Sequence, residues 1–139
     1  MAPILHLSLP VHDLEAARHF YVDLLGCEPG RVRPDWIDVW FYAMQVTLHA
    51  EPAQVLDRDD RGVRHFGVTL SPADLAALIE RLQGLRIEWL REPTTDYVGT
   101  DRGQTKAMIA DPSGNAVELK TNTDPGSAFE RGASSAATP

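Results

Sequence analysis

One pattern is spelled twice in this chain. "DLEAARHFYVDLLG" at residues 13–26 and "DLAALIERLQG" at 74–84 share their helical spelling, and each follows a β-run that carries a histidine, His6 and His65. The copies lie about 60 residues apart, a longer period than common solenoids use, and two copies are too few to build one. The repeat therefore predicts a duplicated domain. With 139 residues and 43% hydrophobic composition, the chain can fill one sizeable core but not two independent ones.

The elements follow from periodicity. Residues 4–11, "ILHLSLPV", alternate, with Leu5, Leu7, Leu9 and Val11 on one face and Ile4, His6 and Ser8 on the other, as in a half-buried strand. Asp13 can cap the next helix, Leu14, Ala17, Phe20, Tyr21, Leu24 and Leu25 recur at helical spacing, and Gly26 stops it. "WIDVWFY" (36–42) and "QVTLHA" (45–50) read as β-runs. The second half repeats the order: "RHFGVTL", a helix with Ser71 as N-cap, Pro72 at its first position and Asp74 completing a capping box, then "IEWLREP", "TKAMIAD", the turn "DPSGN" and "AVELKT". The expected fold is α+β, two tandem βαβββ modules at about 1–54 and 62–124 joined by a charged linker at 55–61. A small, polar tail at 125–139 is expected to be flexible, with Phe129 its one aromatic able to dock.

A net charge of −7 opposes binding to nucleic acid or to an anionic membrane, both of which need a basic face. Small molecules, or a second copy of the chain, are the expected partners. The single cysteine, Cys27, permits no internal disulfide and no thiolate-rich zinc site. The N-terminus lacks a basic, apolar leader and no run of 18 apolar residues occurs, so the expected location is the cytoplasm.

Strand alternation sets His6 opposite its leucine stripe, His65 opposite Phe66, Val68 and Leu70, and Glu118 opposite Val117 and Leu119. If the apolar stripes pack on the helices, two imidazoles and a carboxylate share the other face, a donor set suited to a divalent metal. Each residue alone has a plainer reading: a histidine satisfied by a backbone carbonyl, or a glutamate paired with Arg64 or Arg102. An unpaired carboxylate between apolar neighbours costs several kcal/mol, which a metal would remove.

Over residues 4–124 the sequence resembles the vicinal oxygen chelate superfamily, which includes glyoxalase I, extradiol dioxygenases, methylmalonyl-CoA epimerase and fosfomycin- and bleomycin-resistance proteins. The resemblance rests on "LHLSLPVHDLEAARHFYVDLLG", "RHFGVTL" and above all "DPSGNAVELK", and the whole is most similar to small, single-domain predicted extradiol-type dioxygenases. It implies an open, barrel-like sheet around a metal cavity, modules that pair within a chain or swap between chains, a homodimer, and His6, His65 and Glu118 as metal ligands. The glyoxalase-type fourth ligand falls on Thr47, a poor ligand, with His49 two residues on as a replacement or an acid/base group. A His, His, Glu facial set then points to Fe(II), with Mn(II), Ni(II), Co(II) or Zn(II) as other occupants, and to dioxygenase chemistry on a substrate with neighbouring oxygens such as a catechol. A departure from the extradiol pattern is Met108, where a tyrosine stands four residues before the proline of the turn. Tyr97 could supply a phenol from another direction. The rival readings are a glyoxalase-like isomerase, lyase or epimerase, which expects His49 or Gln45 on the metal, and a binding protein that sequesters a small antibiotic.

The remaining features have plainer assignments. His12 and His19 are expected at the surface or in caps, Trp36, Trp40, Phe41 and Tyr42 in core and cavity wall, Cys27 as inert, and "DRDDR" as a solvated loop.

Overall fold

The alternation and helical spacing read above become eight strands and two helices in a computed structural model, which describes residues 1–124. The expectations for the tail at 125–139, Phe129 included, lie outside the described residues. The first module contains β1 (Leu5–Val11), α1 (Leu14–Arg18), β2 (Glu28–Val32), β3 (Trp36–Phe41) and β4 (Met44–Ala50). The second contains β5 (Phe66–Thr69), α2 (Pro72–Gln83), β6 (Glu88–Asp96), β7 (Gln104–Ala110) and β8 (Ala116–Asn122). Their sheets have the orders β1-β4-β3-β2 and β5-β8-β7-β6, and in both the first strand runs parallel to the last while the other pairs are antiparallel. The duplication is thus exact in topology.

The two expected βαβββ modules form two four-stranded sheets with no strand pair between them, an open arrangement; no closed barrel forms among the described residues. β1 and β5 are consequently sheet edges. Apolar side chains stand exposed beside both, Ile4 and Leu5 at β1 and Val63 ahead of β5. Leu5 therefore departs from the buried stripe assigned to it.

Local chemistry explains the helices. Asp13 accepts from Ala16 N at 2.7 Å to cap α1, which continues over His19–Leu24 with π-helical turns before Gly26 ends it at φ +80°. Ser71 accepts from Asp74 N at 3.2 Å, with Pro72 next in the chain. The helices and the inner faces of both sheets form one core, in which Phe20, Tyr21, Leu48, Leu75, Leu82, Ile109 and Leu119 are buried. Two short 3-10 turns follow β4, Pro52–Gln54 at the end of the first module and Arg58–Asp60 in the linker.

The "DPSGN" turn ties the modules together. Asp111 accepts from the Tyr21 hydroxyl at 2.8 Å, Ser113 Oγ accepts from His12 N at 2.8 Å, and Asn115 Nδ2 donates to Pro10 O at 3.1 Å. Across the helices, Arg81 donates to Asp23 O at 2.9 Å. No helix among the described residues is long and apolar enough to cross a membrane.

Cys27 is buried and free, and burial pushes its thiol up to about 11, in keeping with an inert residue. Above pH 9 the unfolded chain loses this proton while the folded one keeps it, so the contribution is intact below pH 9 and is lost as pH rises to 11. Relative to Cys27→Ala, the native protein is expected to lose about 2–3 kcal/mol of stability over that interval. Urea midpoints of the two proteins at pH 8 and pH 11 measure the difference.

Candidate metal and substrate site

The polar face of the second sheet is built around Glu118. Gly67 on β5 stands opposite it, and a Cβ at that position would lie 2.0 Å from the Glu118 carbonyl oxygen. Only glycine lets β5 approach β8 so closely. His65, one residue ahead of β5 rather than within it, donates from Nδ1 to Val63 O at 2.7 Å. A carbonyl can only accept, so Nδ1 carries a proton, and in the neutral imidazole Nε2 is left with its lone pair. That lone pair is 3.8 Å from Glu118 Oε2, too far for a hydrogen bond. Two acceptors therefore face one another across a gap that a cation would fill. Lys120 Nζ lies 3.5 Å from the other carboxylate oxygen, while neither Arg64 nor Arg102 pairs with Glu118.

The first sheet repeats the layout with different chemistry. Ser8 stands opposite Thr47 as Gly67 stands opposite Glu118, and each row has a histidine two residues back on the edge strand, so Thr47 occupies the position equivalent to Glu118. Its hydroxyl donates to Asp38 Oδ1 at 2.6 Å, and Arg31 Nε donates to Asp38 Oδ2 at 2.6 Å. The Asp38 side chain is 1% exposed and that of Arg31 58%, so a surface cation neutralises a buried anion. Arg31 and Arg33 also lie over the Trp36 ring, 4.9 and 5.6 Å from its centroid. His6 Nε2 is 3.2 Å from Ser8 Oγ, and Gln45 is its register partner on β4. His49 lies two residues beyond Thr47, between Pro10 and Trp36 in register.

The proposed three-ligand set does not assemble within one chain. His65 and Glu118 come together, but His6 sits on the edge of the other sheet, and no three His, Cys, Asp or Glu side chains among the described residues are placed to hold a metal. The cause is the break between the two sheets. Each module carries its own part, His6 on the first sheet and Glu118 with His65 on the second.

His65 adjoins two openings. One, of about 240 Å³, is bordered by Glu118, Thr69 and Lys120; the other, of about 990 Å³, runs from the second sheet past the linker to α1. Met108 lines the larger cavity, whereas Tyr97 and His49 line neither, and Tyr97 stands exposed on its loop with φ 54°. His12 and His19, assigned to surface or cap roles, line the larger cavity; His19 also bonds Asp23 at 3.0 Å. So do residues of the linker, expected to be no more than a solvated loop. Asp38 was also missed. Its signal was a lone carboxylate in "WIDVWFY", which alternation places with Trp36 and Trp40 rather than with Ile37 and Val39.

Residues 3–119 match the family model described as the glyoxalase/bleomycin resistance protein/dioxygenase superfamily. Among solved structures, a glyoxalase/bleomycin resistance protein/dioxygenase from Alicyclobacillus acidocaldarius is 29% identical, covers 88% of this chain and 92% of its own, and superposes with a TM-score of 0.76. A lactoylglutathione lyase from Agrobacterium tumefaciens (21% identity, 87% and 94% covered, TM-score 0.65) shares the fold. So does the fosfomycin resistance protein FosX from Listeria monocytogenes (15% identity, 88% and 95% covered, TM-score 0.70). No curated protein gives a significant sequence match.

Proposed function

Because this chain belongs to the glyoxalase/bleomycin resistance protein/dioxygenase superfamily, we propose that it is a metal-dependent enzyme of extradiol dioxygenase type, acting on a small substrate with neighbouring oxygens. The observation that carries the reading is the His65 and Glu118 pair, whose free lone pair and carboxylate oxygen face each other at 3.8 Å with no donor between them. These donors fit a divalent cation. His6 would be the third ligand, supplied by a second copy whose β1 edge comes beside β5. The unpaired edges and the exposed Ile4, Leu5 and Val63 favour such a homodimer.

Thr47 distinguishes this reading from a four-ligand isomerase. Its hydroxyl proton is committed to Asp38, and Asp38 is neutralised by Arg31, so the equivalent of the fourth ligand is a neutral, engaged group. Three protein ligands on one face leave adjacent positions open, as non-haem Fe(II) sites require. When bound, the metal would supply Lewis acidity and a template for two substrate oxygens. The protein's own part is to hold those ligands, to screen Glu118 with Lys120, and to take the substrate hydroxyl proton on the His49 that the second copy would bring in on the same sheet as its His6.

Anaerobically purified protein is expected to contain about one iron per chain and to consume oxygen with a catechol. His49→Ala should keep the metal and lose turnover by roughly 10²-fold or more, the scale of a lost acid/base group. Elemental analysis and an oxygen electrode give both readings. Nickel or zinc without oxygen uptake would transfer the site to proton-transfer chemistry, and full activity in His49→Ala would remove that residue from the mechanism.

A further inference from the structure

We propose that the 990 Å³ cavity beside His65 is an oxyanion-binding site, and that its ligand is an amphipathic organic anion whose carboxylate or phosphonate is held by Arg64 and Arg86. The chain has 20 acidic residues against 13 basic ones. The cavity wall reverses that balance, with four arginines (58, 61, 64 and 86) against three carboxylates (Asp57, Glu88 and Asp111).

The two sets are not equally engaged. Glu88 is paired with Arg58, and Asp111 is buried with both oxygens bonded by Tyr21, Ser113 N and Asn115. Of the three, only the Asp57 side chain remains without a partner among the described residues. Arg61 bonds Asn115 Oδ1 and the carbonyls of Leu56 and Ser113, and its Nε is buried without a partner. Arg64 bonds the carbonyls of Asp60 and Arg61, and Arg86 has no hydrogen-bond or ion-pair partner among the described residues. Three guanidinium charges thus meet carbonyl dipoles or nothing. Guanidinium groups match oxyanions in shape as well as charge, and a cleft concentrates their field.

Arg61 is what presents this wall. Gly114, at φ +82°, has no Cβ, and one built there would lie 3.0 Å from Arg61 Nη2, so the guanidinium rests against the turn and fixes the linker that carries Arg58 and leads into Arg64. The lining also includes His12, His19, His65 and Ser113, and an apolar part with Phe20, Leu24, Ile87, Leu90 and Met108. An apolar body between an anionic end and His65 fits such a cavity, whose volume suits a small organic molecule. Calling this ligand the substrate rests on the function proposed above; the binding does not.

The test is calorimetric titration of the metal-free, full-length protein in EDTA with benzoate, phenylphosphonate and neutral benzamide. At least one anion is expected to bind ten-fold or more tightly than benzamide, and its affinity should fall as salt rises. The double variant Arg64→Met/Arg86→Met, at two exposed positions outside the Arg61 clasp, should lose at least ten-fold of that affinity, while Arg64→Lys/Arg86→Lys retains most of it. A preference for benzoate or for phenylphosphonate assigns the anion as carboxylate or phosphonate. Equal binding of benzamide, no binding of either anion, or wild-type affinity in the methionine variant overturns the proposal. Since no metal is present, none of these outcomes depends on whether the protein consumes oxygen.

Discussion

Asp111→Ala is expected to lower the free energy of unfolding by about 3–5 kcal/mol, the cost of breaking a buried charged network by removing one partner. Asp111 is 3% exposed. Its Oδ1 accepts from Ser113 N at 2.9 Å and Asn115 N at 2.8 Å; its Oδ2 accepts from Tyr21 Oη at 2.8 Å and Asn115 Nδ2 at 2.9 Å. Alanine would leave three donors, Ser113 N, Asn115 N and Tyr21 Oη, buried without an acceptor, and each such group costs about 1–3 kcal/mol before relaxation. One of the contacts reaches the other module directly, since Tyr21 lies in the helical segment after α1, and Asn115 links to it in turn by holding Pro10 O. Burial, reinforced by the Asp111 carboxylate, also raises the Tyr21 phenol well above its ordinary range, as for a hydroxyl fixed in the neutral, donating form. Tyr21→Phe removes one donor together with its need and should cost only about 1 kcal/mol. Urea unfolding with an unchanged m-value measures both. A loss below 1 kcal/mol for Asp111→Ala would mean that Pro112 and Gly114 hold the turn without the carboxylate.

The same residues show why the sequence was informative in one respect and mute in another. "DPSGNAVELK" was legible as a turn running into a strand because Pro fixes its φ and Gly readily takes the positive φ that Gly114 adopts, and Glu118 was legible because alternation assigns a strand residue to a face. Spacing also recovered both modules and both helix caps, Asp13 and Ser71, because these depend on neighbours within four residues. What alternation cannot supply is the relation of one sheet to another. It set His6 and Glu118 on equivalent faces, but whether those faces meet depends on packing between modules, and in one chain they do not. Arg61 was hidden for a related reason. Its partners Ser113 and Asn115 lie more than fifty residues away, and nothing in "EPAQVLDRDDRG" separates a clasp from a solvated charge. Asp38 was overlooked because its neutralising partners, Arg31 and Thr47, come from the two flanking strands.

That separation of His6 from His65 and Glu118 yields the second large effect. His6→Ala and Glu118→Ala chains should each retain almost no metal, a loss beyond the ~10–100-fold typical of groups that merely support a ligand. If the site forms between two copies, mixing the variants under exchange creates heterodimers in which one site carries both substitutions and the other carries neither. About a quarter of all sites would then be intact in an equilibrated, equal mixture, because half the dimers are mixed and each has one good site. Metal content and oxygen uptake should rise together to that level, and chains mixed without exchange should show neither. A site completed within each chain by closure of its own modules would leave the mixture as inactive as its components, since every site would still lack a ligand. The comparison needs no structural assumption beyond a folded dimer, which sedimentation of each variant establishes first. Rescue would tie the exposed β1 and β5 edges to catalysis, and its absence in a dimer that exchanges freely would place the site within one chain rather than between copies.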